Sequence, residues 1–104
     1  MTSACATYGL SADAWSKIHQ VFKTHPKIAS VWLYGSRALG TFKLGSDIDL
    51  CIEGKDLTTT TLLKIDNELD DLMLPWKIDL SLKHQLTNDQ LLAHIERFGI
   101  RIYP

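Results

Sequence analysis

One stretch, residues 31–50, constrains this chain most, because it joins an apolar run, a glycine turn and a pair of aspartates. The run Val31–Tyr34 leads directly into Gly35-Ser36-Arg37, a pattern typical of a buried strand that ends in a phosphate-binding turn. Glycine lets the main chain approach an anion, serine supplies a hydroxyl and an N–H, and arginine supplies a fork of charged donors. The residues that follow suit a short helix whose N-terminus faces the phosphates.

A second strand is predicted to begin with two carboxylates, in the run Ser46-Asp47-Ile48-Asp49-Leu50. Side chains alternate along a strand, so Asp47 and Asp49 share one face while the two apolar residues point the other way. Two carboxylates this close repel each other unless a cation lies between them. Hard oxygen ligands favour Mg2+ over Zn2+, so we expect a magnesium site here.

The combined pattern is a Gly-Ser pair, ten residues and then Asp-x-Asp. It resembles the signature of the DNA polymerase β-like nucleotidyltransferase superfamily. Within that superfamily the chain is most similar to the minimal nucleotidyltransferase (MNT) proteins of prokaryotes, which are usually encoded beside a helical HEPN-domain protein. The resemblance covers residues 15–103 and implies an α+β (α/β) fold, a small mixed β-sheet with helices packed on it.

Periodicity and breaker residues predict the remaining elements. They are a helix between Ser11 and His25, a strand ending at Tyr34, a strand Asp47–Glu53, a helix Thr58–Met73, a strand Trp76–Ser81, a helix Asn88–Phe98 closed by Gly99, and a short strand Ile100–Tyr103. Thr87 and Gln90 form a predicted capping box. The length favours one domain over residues 1–104, in which residues 1–10 are expected to be loosely ordered.

The order of these elements places a third aspartate, Asp79, at the same site. The second and third strands are joined by a helix of about sixteen residues, which predicts parallel neighbours in a right-handed crossover. The first strand must then run antiparallel to the second, so that its Gly-Ser end meets the start of that strand. We therefore expect Asp47, Asp49 and Asp79 at one edge of the sheet, where three carboxylates suit a two-metal arrangement.

The resemblance implies a role for each of these positions. In the superfamily, carboxylates that match Asp47 and Asp49 bind two Mg2+ ions, and the one that matches Asp79 helps the second ion or acts as base toward an acceptor hydroxyl. Residues that match the Gly-Ser pair, Gly35 and Ser36, hold the phosphates of the nucleotide. An arginine such as Arg37 is typical of the minimal group and is expected to stabilise the departing pyrophosphate, with ATP as the implied substrate.

Two classes of function follow. The resemblance implies an enzyme that transfers AMP from ATP to a protein hydroxyl, an antitoxin that adenylylates a tyrosine of its HEPN toxin. The alternative is a non-catalytic antitoxin that neutralises a HEPN ribonuclease by binding it. Antibiotic-modifying relatives share the motif but carry an additional helical domain, for which 104 residues leave no room. A catalytic edge without an acceptor-binding region needs a partner's surface, so a hetero-oligomer or a homodimer is compatible with the sequence.

Charge and hydropathy limit which binding partners and which cellular location the sequence predicts. The formal net charge is −1, which indicates no basic face for direct nucleic-acid binding. The chain has no run of 18 apolar residues and no basic N-terminal region followed by an apolar segment, so we expect a cytoplasmic protein that does not enter the membrane. Cys5 and Cys51 are accordingly expected to be free thiols.

Several residues near the motif allow two interpretations, one functional and one structural. Cys51 lies on the same strand face as the aspartates and is either a reactive thiol or a small core residue. Lys43 either reaches a phosphate or stays solvated. Trp32 and Tyr34 either stack on a base or belong to the core. The histidines show no spacing typical of metal ligands; they are His19, His25, His84 and His94.

Overall fold

The computed structural model describes residues 8–104, which form a four-stranded sheet with helices on both faces. The elements are α1 (Ala12–Lys23), β1 (Ile28–Tyr34), α2 (Ser36–Leu39), β2 (Ile48–Gly54), α3 (Thr59–Asp70), β3 (Ile78–Leu82), α4 (Asp89–Phe98) and β4 (Ile100–Tyr103). A 3-10 turn, Lys83–Gln85, follows β3. The predicted α+β fold with a small mixed sheet is confirmed.

The sheet has the strand order β3-β2-β1-β4. β2 and β3 are parallel, whereas β1 runs antiparallel to both β2 and β4. The crossover helix α3 connects the parallel pair, as predicted, because a chain that leaves the end of one strand must return to the start of its parallel neighbour. The predicted topology of the first three strands is therefore confirmed.

Because side chains alternate between the two faces of each strand, the sheet has a hydrophobic core on each face. Leu33 and Leu50 belong to the larger core, to which α1 contributes Ile18 and Phe22 and α3 contributes Ile65. The opposite face carries a smaller cluster in which α4 covers the sheet; its buried members are Tyr34, Cys51 and Ile95. Because neighbouring strand residues point to opposite faces, the aspartates of β2 and β3 lie on the α4 side.

Side-chain caps explain where the helices begin. Ser11 Oγ accepts the N–H of Ala14 at 3.1 Å, which starts α1 at the predicted position. The predicted capping box of Thr87 and Gln90 is wrong by one residue, because Asn88 is the cap and its Oδ1 accepts two main-chain N–H groups. None of the helices in residues 8–104 has the length and apolar character needed to cross a membrane.

Several predicted boundaries differ from the structure. α3 ends at Asp70, before the predicted Met73, whose backbone is left-handed at φ +56°. β3 begins at Ile78 and not at Trp76, because the parallel ladder with β2 starts at the pair Ile48–Ile78. The same ladder leaves Asp47 one residue outside β2.

Part of the N-terminal segment is packed. Residues 1–7, including Cys5, lie outside the described residues, so the prediction of loose order stays a prediction for them. For residues 8–10 it is wrong, since Leu10 is buried in the larger core and the carbonyl of Tyr8 accepts a hydrogen bond from Arg37.

Two substitutions on α3 test the packing of this helix. Ile65 is fully buried, whereas Leu63, two residues earlier, is 58% exposed. Ile65→Ala is expected to lower the free energy of unfolding by about 2–5 kcal/mol through lost burial and a residual cavity. Leu63→Ala is the matched control and should change it by at most about 1 kcal/mol. Urea denaturation measures both, and equal losses would contradict the observed orientation of the helix.

Candidate active site

The Gly-Ser turn lies at the end of β1. Gly35 adopts φ +76° and ψ −156° and caps the short helix α2, which begins at Ser36 as predicted. A β carbon at residue 35 would collide with Oδ2 of Asp49. The backbone conformation therefore favours glycine here, and any β carbon would also displace the Asp49 carboxylate.

Two of the predicted carboxylates are direct neighbours. Asp49 and Asp79 are register partners in the parallel pair of β2 and β3, and Asp49 also pairs with Tyr34 at the end of β1. Adjacent strands lie about 4.8 Å apart, so the two side chains stand side by side on one face. Asp49 is half-buried, whereas Asp47 and Asp79 are exposed. The structure thus brings the Gly35 turn, Asp49 and Asp79 to one edge of the sheet.

The negative charges of this edge interact. Burial raises the pKa of the Asp49 carboxyl, and the charges of Asp79 and Asp47 raise it further. The positive charge of Arg37 acts in the opposite direction. A carboxylate held in this setting is destabilised by desolvation and by like charge, and a bound divalent cation would relieve the second effect.

The three aspartates do not form a compact metal cage in this conformation. Within residues 8–104, no three His, Cys, Asp or Glu side chains lie close enough together to hold a metal ion. Asp49 and Asp79 do supply adjacent hard oxygen donors, the type that suits Mg2+, while Asp47 stands outside that pair. The three-carboxylate magnesium site therefore stays a prediction.

Arg37 has a different setting from the expected one. Its side chain is 1% exposed, and its Nε and Nη2 donate to the carbonyl of Ser46 at 3.2 and 2.8 Å. Nη1 donates to the carbonyl of Tyr8 at 2.8 Å, and the guanidinium lies 4.9 Å from the ring centroid of Phe42 and 5.8 Å from that of Trp76. The guanidinium is thus bound by main-chain carbonyls and covered by rings, a geometry that does not support the predicted direct contact with pyrophosphate.

Ser46 closes the linker between α2 and β2. Its Oγ accepts the N–H of Lys43 at 2.8 Å, and its own N–H donates to the carbonyl of Lys43 at 3.1 Å. With the two bonds from Arg37, these contacts fix the chain directly before Asp47. The side chain of Lys43 is exposed, which favours a solvated lysine over one that contacts a phosphate.

His94 is a site residue that sequence reasoning missed. It lies on α4, its ring centroid is 6.2 Å from that of Tyr34, and its Nε2 accepts the N–H of Gly35 at 3.0 Å. The two hydrogen-bonded residues are 59 positions apart, so no local spacing links them. The available sequence signal was the position of His94 beside Leu91 and Ile95 on the apolar stripe of α4.

The other residues that allowed two interpretations, Cys51, Tyr34 and Trp32, are held by packing and hydrogen bonds within the protein. Cys51 is a free thiol, fully buried, and burial raises its pKa, which favours a core residue over a reactive one. Tyr34 is 8% exposed, and Trp32 Nε1 donates to Ser30 Oγ at 3.1 Å and to Glu53 Oε1 at 3.3 Å. These contacts favour packing over base stacking.

A groove of about 690 Å3 runs between α1 and β4. It is lined by Trp15, His19, Lys23, Arg101 and Tyr103, among others, and it contains none of the predicted site residues. The carboxylate edge is therefore distinct from this groove.

Comparison with known families decides the reaction class. The sequence model of the family "Polymerase beta, Nucleotidyltransferase" matches residues 16–104, which contain the Gly-Ser turn and all three aspartates. The chain belongs to this nucleotidyltransferase family. The prediction of a nucleotidyltransferase is thereby confirmed. No curated protein sequence matches the chain.

Solved structures confirm the nucleotidyltransferase fold. A chain in the crystal structure of a toxin-antitoxin with AMP-PNP is similar with a TM-score of 0.70 and 22% identity over 86% of this chain and 72% of that chain. A chain in the crystal structure of the toxin-antitoxin MntA-HepT is similar with a TM-score of 0.65 and 18% identity, over 89% of this chain and 72% of that chain. A chain in the complex of tri-AMPylated Shewanella oneidensis HEPN toxin with MNT antitoxin is similar with a TM-score of 0.64 and 18% identity, over 86% of this chain and 69% of that chain.

The contact between Gly35 and Asp49 predicts a difference between two glycines with positive φ but different ψ, −156° at Gly35 and 8° at Gly40. Gly40 also has a positive φ, +81°, but a β carbon there would meet open space. Gly40→Ala is expected to lower the free energy of unfolding by about 1 kcal/mol, the cost of the left-handed backbone alone. Gly35→Ala should cost more, because its backbone lies in a region open mainly to glycine and because the methyl group displaces the carboxylate.

A double-mutant cycle measured by chemical denaturation isolates that contact. In an Asp49→Ala background the cost of Gly35→Ala is expected to fall, whereas the part that its backbone conformation causes should stay. An unchanged cost of Gly35→Ala without the carboxylate, that is, no coupling between the two positions, would show that Asp49 is not the group in contact.

The charge of Asp49 predicts a stability gain on neutralisation. Because desolvation and like charge raise its pKa above the ordinary 3.8, ionised Asp49 destabilises the folded protein. Asp49→Asn should therefore raise the melting temperature in divalent-free buffer at neutral pH. The gain should fade as the pH drops through the raised pKa toward 3.8, where the wild-type carboxyl is protonated as well.

Asp56→Asn is the matched control, because Asp56 is exposed at a turn and asparagine tolerates its φ of +59°. This variant removes the same formal charge at a distant position and should change the melting temperature little. Equal gains from both variants would indicate a general effect of net charge.

Proposed function

We propose that this chain is a Mg2+-dependent nucleotidyltransferase that transfers AMP from ATP to a protein hydroxyl, a tyrosine of a HEPN toxin, and thereby acts as an antitoxin. The observation that carries the proposal is the meeting of the Gly35 turn with the adjacent carboxylates of Asp49 and Asp79. Membership of the polymerase beta family supports the reaction class. The similarity in fold to chains crystallised with AMP-PNP or with an AMPylated HEPN toxin supports the choice of nucleotide and acceptor.

The residues at the edge divide into two functions. Gly35 and Ser36 would hold the phosphates, through the Ser36 hydroxyl and the main-chain N–H groups at the start of α2, which have no intrahelical partner. Asp47, Asp49 and Asp79 would hold Mg2+. When bound, Mg2+ neutralises the triphosphate and polarises its phosphoryl oxygens.

The transfer itself requires an in-line substitution at phosphorus. The acceptor oxygen forms a bond to the α-phosphorus of ATP as the bond to the pyrophosphate oxygen breaks, and the hydroxyl proton passes to a base. Asp79 is exposed at the edge of the site, where an acceptor hydroxyl can reach it. It serves as that base or as a ligand of a second ion, the two roles expected of this position.

Arg37 would support the site indirectly. Its hydrogen bonds to the carbonyl of Ser46 hold the chain that enters the Asp47-Ile48-Asp49 segment, and its charge lowers the pKa of Asp49. We therefore assign Arg37 a positioning role in place of a direct contact with pyrophosphate. A reaction that consumes ATP would take place in the cytoplasm.

A second candidate is an antitoxin that neutralises a HEPN ribonuclease by binding alone. It is favoured by two observations on residues 8–104: the three aspartates do not form a compact metal-holding group, and the guanidinium of Arg37 is engaged within the protein. In that reading the carboxylate edge is not used for chemistry.

The double variant Asp47→Asn, Asp49→Asn separates the two candidates. Incubated with ATP, Mg2+ and the HEPN-domain protein encoded beside it, the wild type should add the mass of at least one AMP group to that partner. The double variant should add none, with a loss of at least about a hundredfold in rate, because its ligands no longer carry charge for the metal. Intact mass spectrometry measures the transfer.

Asp56→Asn again serves as the charge control and should transfer AMP at the wild-type rate, while EDTA should abolish transfer by the wild type. Co-expression completes the test, because a catalytic antitoxin loses protection in the double variant. Wild-type protection by that variant would reject the enzymatic proposal in favour of binding.

A further inference from the structure

The N–H of Gly35 has a partner from a distant helix. β1 ends at Tyr34, so this N–H lies just beyond the strand, and His94 Nε2 accepts it at 3.0 Å. A main-chain N–H away from water needs such an acceptor. The contact joins α4 directly to the turn that precedes Ser36.

The imidazole of His94 is held from two sides. Its ring centroid lies 6.2 Å from that of Tyr34 in an edge-on arrangement and 5.5 Å from that of Phe98. Because Nε2 accepts a hydrogen bond, the ring must be the neutral tautomer that carries its proton on Nδ1. The packing therefore orients a lone pair at the turn.

The turn needs such support, because its own conformation is unusual. Gly35 has φ +76° and ψ −156°, a region open mainly to glycine, and glycine has the largest backbone freedom to lose. A hydrogen bond at the N–H of this residue limits rotation of the peptide that leads into α2. The donors that remain for a phosphate then come from Ser36 and the residues after it.

We propose that His94 is a positioning residue of the nucleotide site, whose Nε2 fixes the Gly35 peptide so that Ser36 is presented to the triphosphate. This role rests on the proposed nucleotidyltransferase function and deepens it. It makes α4, which carries none of the motif residues, part of the phosphate-binding apparatus.

Two substitutions separate the acceptor from the packing. His94→Phe keeps a ring against Tyr34 and Phe98 but has no acceptor, whereas His94→Gln places an amide oxygen at a reach similar to that of Nε2. His84→Phe is the control, because His84 is exposed in the 3-10 turn.

The first measurement needs no nucleotide. Amide hydrogen exchange at Gly35 should accelerate roughly fivefold in His94→Phe, the factor expected for one neutral hydrogen bond, and stay within about twofold in His94→Gln and in the control. In the 15N-labelled wild type, NMR should also detect a scalar coupling across the hydrogen bond between Gly35 N and His94 Nε2. Absence of that coupling, or unchanged exchange in His94→Phe, would overturn the proposal.

The second measurement uses AMP transfer to the HEPN partner. If the turn positions the triphosphate equally in the ground state and the transition state, its loss weakens ATP binding without slowing the chemical step. The KM for ATP should therefore rise roughly fivefold in His94→Phe, with kcat within about twofold of wild type. His94→Gln should restore KM. A lower kcat with unchanged KM, or a His94→Gln variant as impaired as His94→Phe, would assign His94 to packing alone.

The two proposals fail in different ways. Absence of transfer by the wild type rejects the proposed function, and the exchange and coupling experiments still decide whether His94 orders the turn. Transfer by the wild type with an unchanged KM in His94→Phe rejects the role of His94 and leaves the proposed function intact.

Discussion

The close contact between the Asp49 carboxylate and the main chain of Gly35 determines the geometry of the site. Asp49 is paired with Tyr34 in the antiparallel ladder, so its side chain is carried to the residue that follows β1. Any side chain at position 35 would occupy the space of that carboxylate. The separation between the turn and the carboxylates is thus set by strand pairing, which is stiffer than a loop and holds a site more accurately.

The same contact creates an electrostatic cost that the surrounding residues reduce. Asp49 is half-buried beside Asp79 and close enough to Asp47 to interact with it. The buried guanidinium of Arg37 acts against this repulsion, although within residues 8–104 it forms no ion pair with a carboxylate and its hydrogen bonds go to main-chain carbonyls. Unfavourable charge of this kind is expected at a functional site, where a bound cation would reduce the repulsion.

Much of the fold could be predicted because its signals are local. The apolar alternation of β1 and β2 and the length of the crossover through α3 were sufficient to assign parallel and antiparallel neighbours. Boundaries were less certain where adjacent residues have similar chemistry. Thr87 and Asn88 are both good caps, and only the folded chain shows that the Asn88 carboxamide reaches the free N–H groups of α4.

The sequence by itself determined the placement of the Gly-Ser turn and of Asp49, because these residues lie within one short segment whose strand and turn preferences dictate their positions. Tertiary structure alone decided the direction of the Arg37 side chain and the contact of His94 with the Gly35 turn. Arg37 donates to the carbonyl of Ser46, nine positions away, and to that of Tyr8, 29 positions away, and His94 accepts from Gly35, 59 positions away. A long or aromatic polar side chain has several accessible rotamers, and the one it adopts depends on which distant acceptor, donor or ring the packed chain brings within reach.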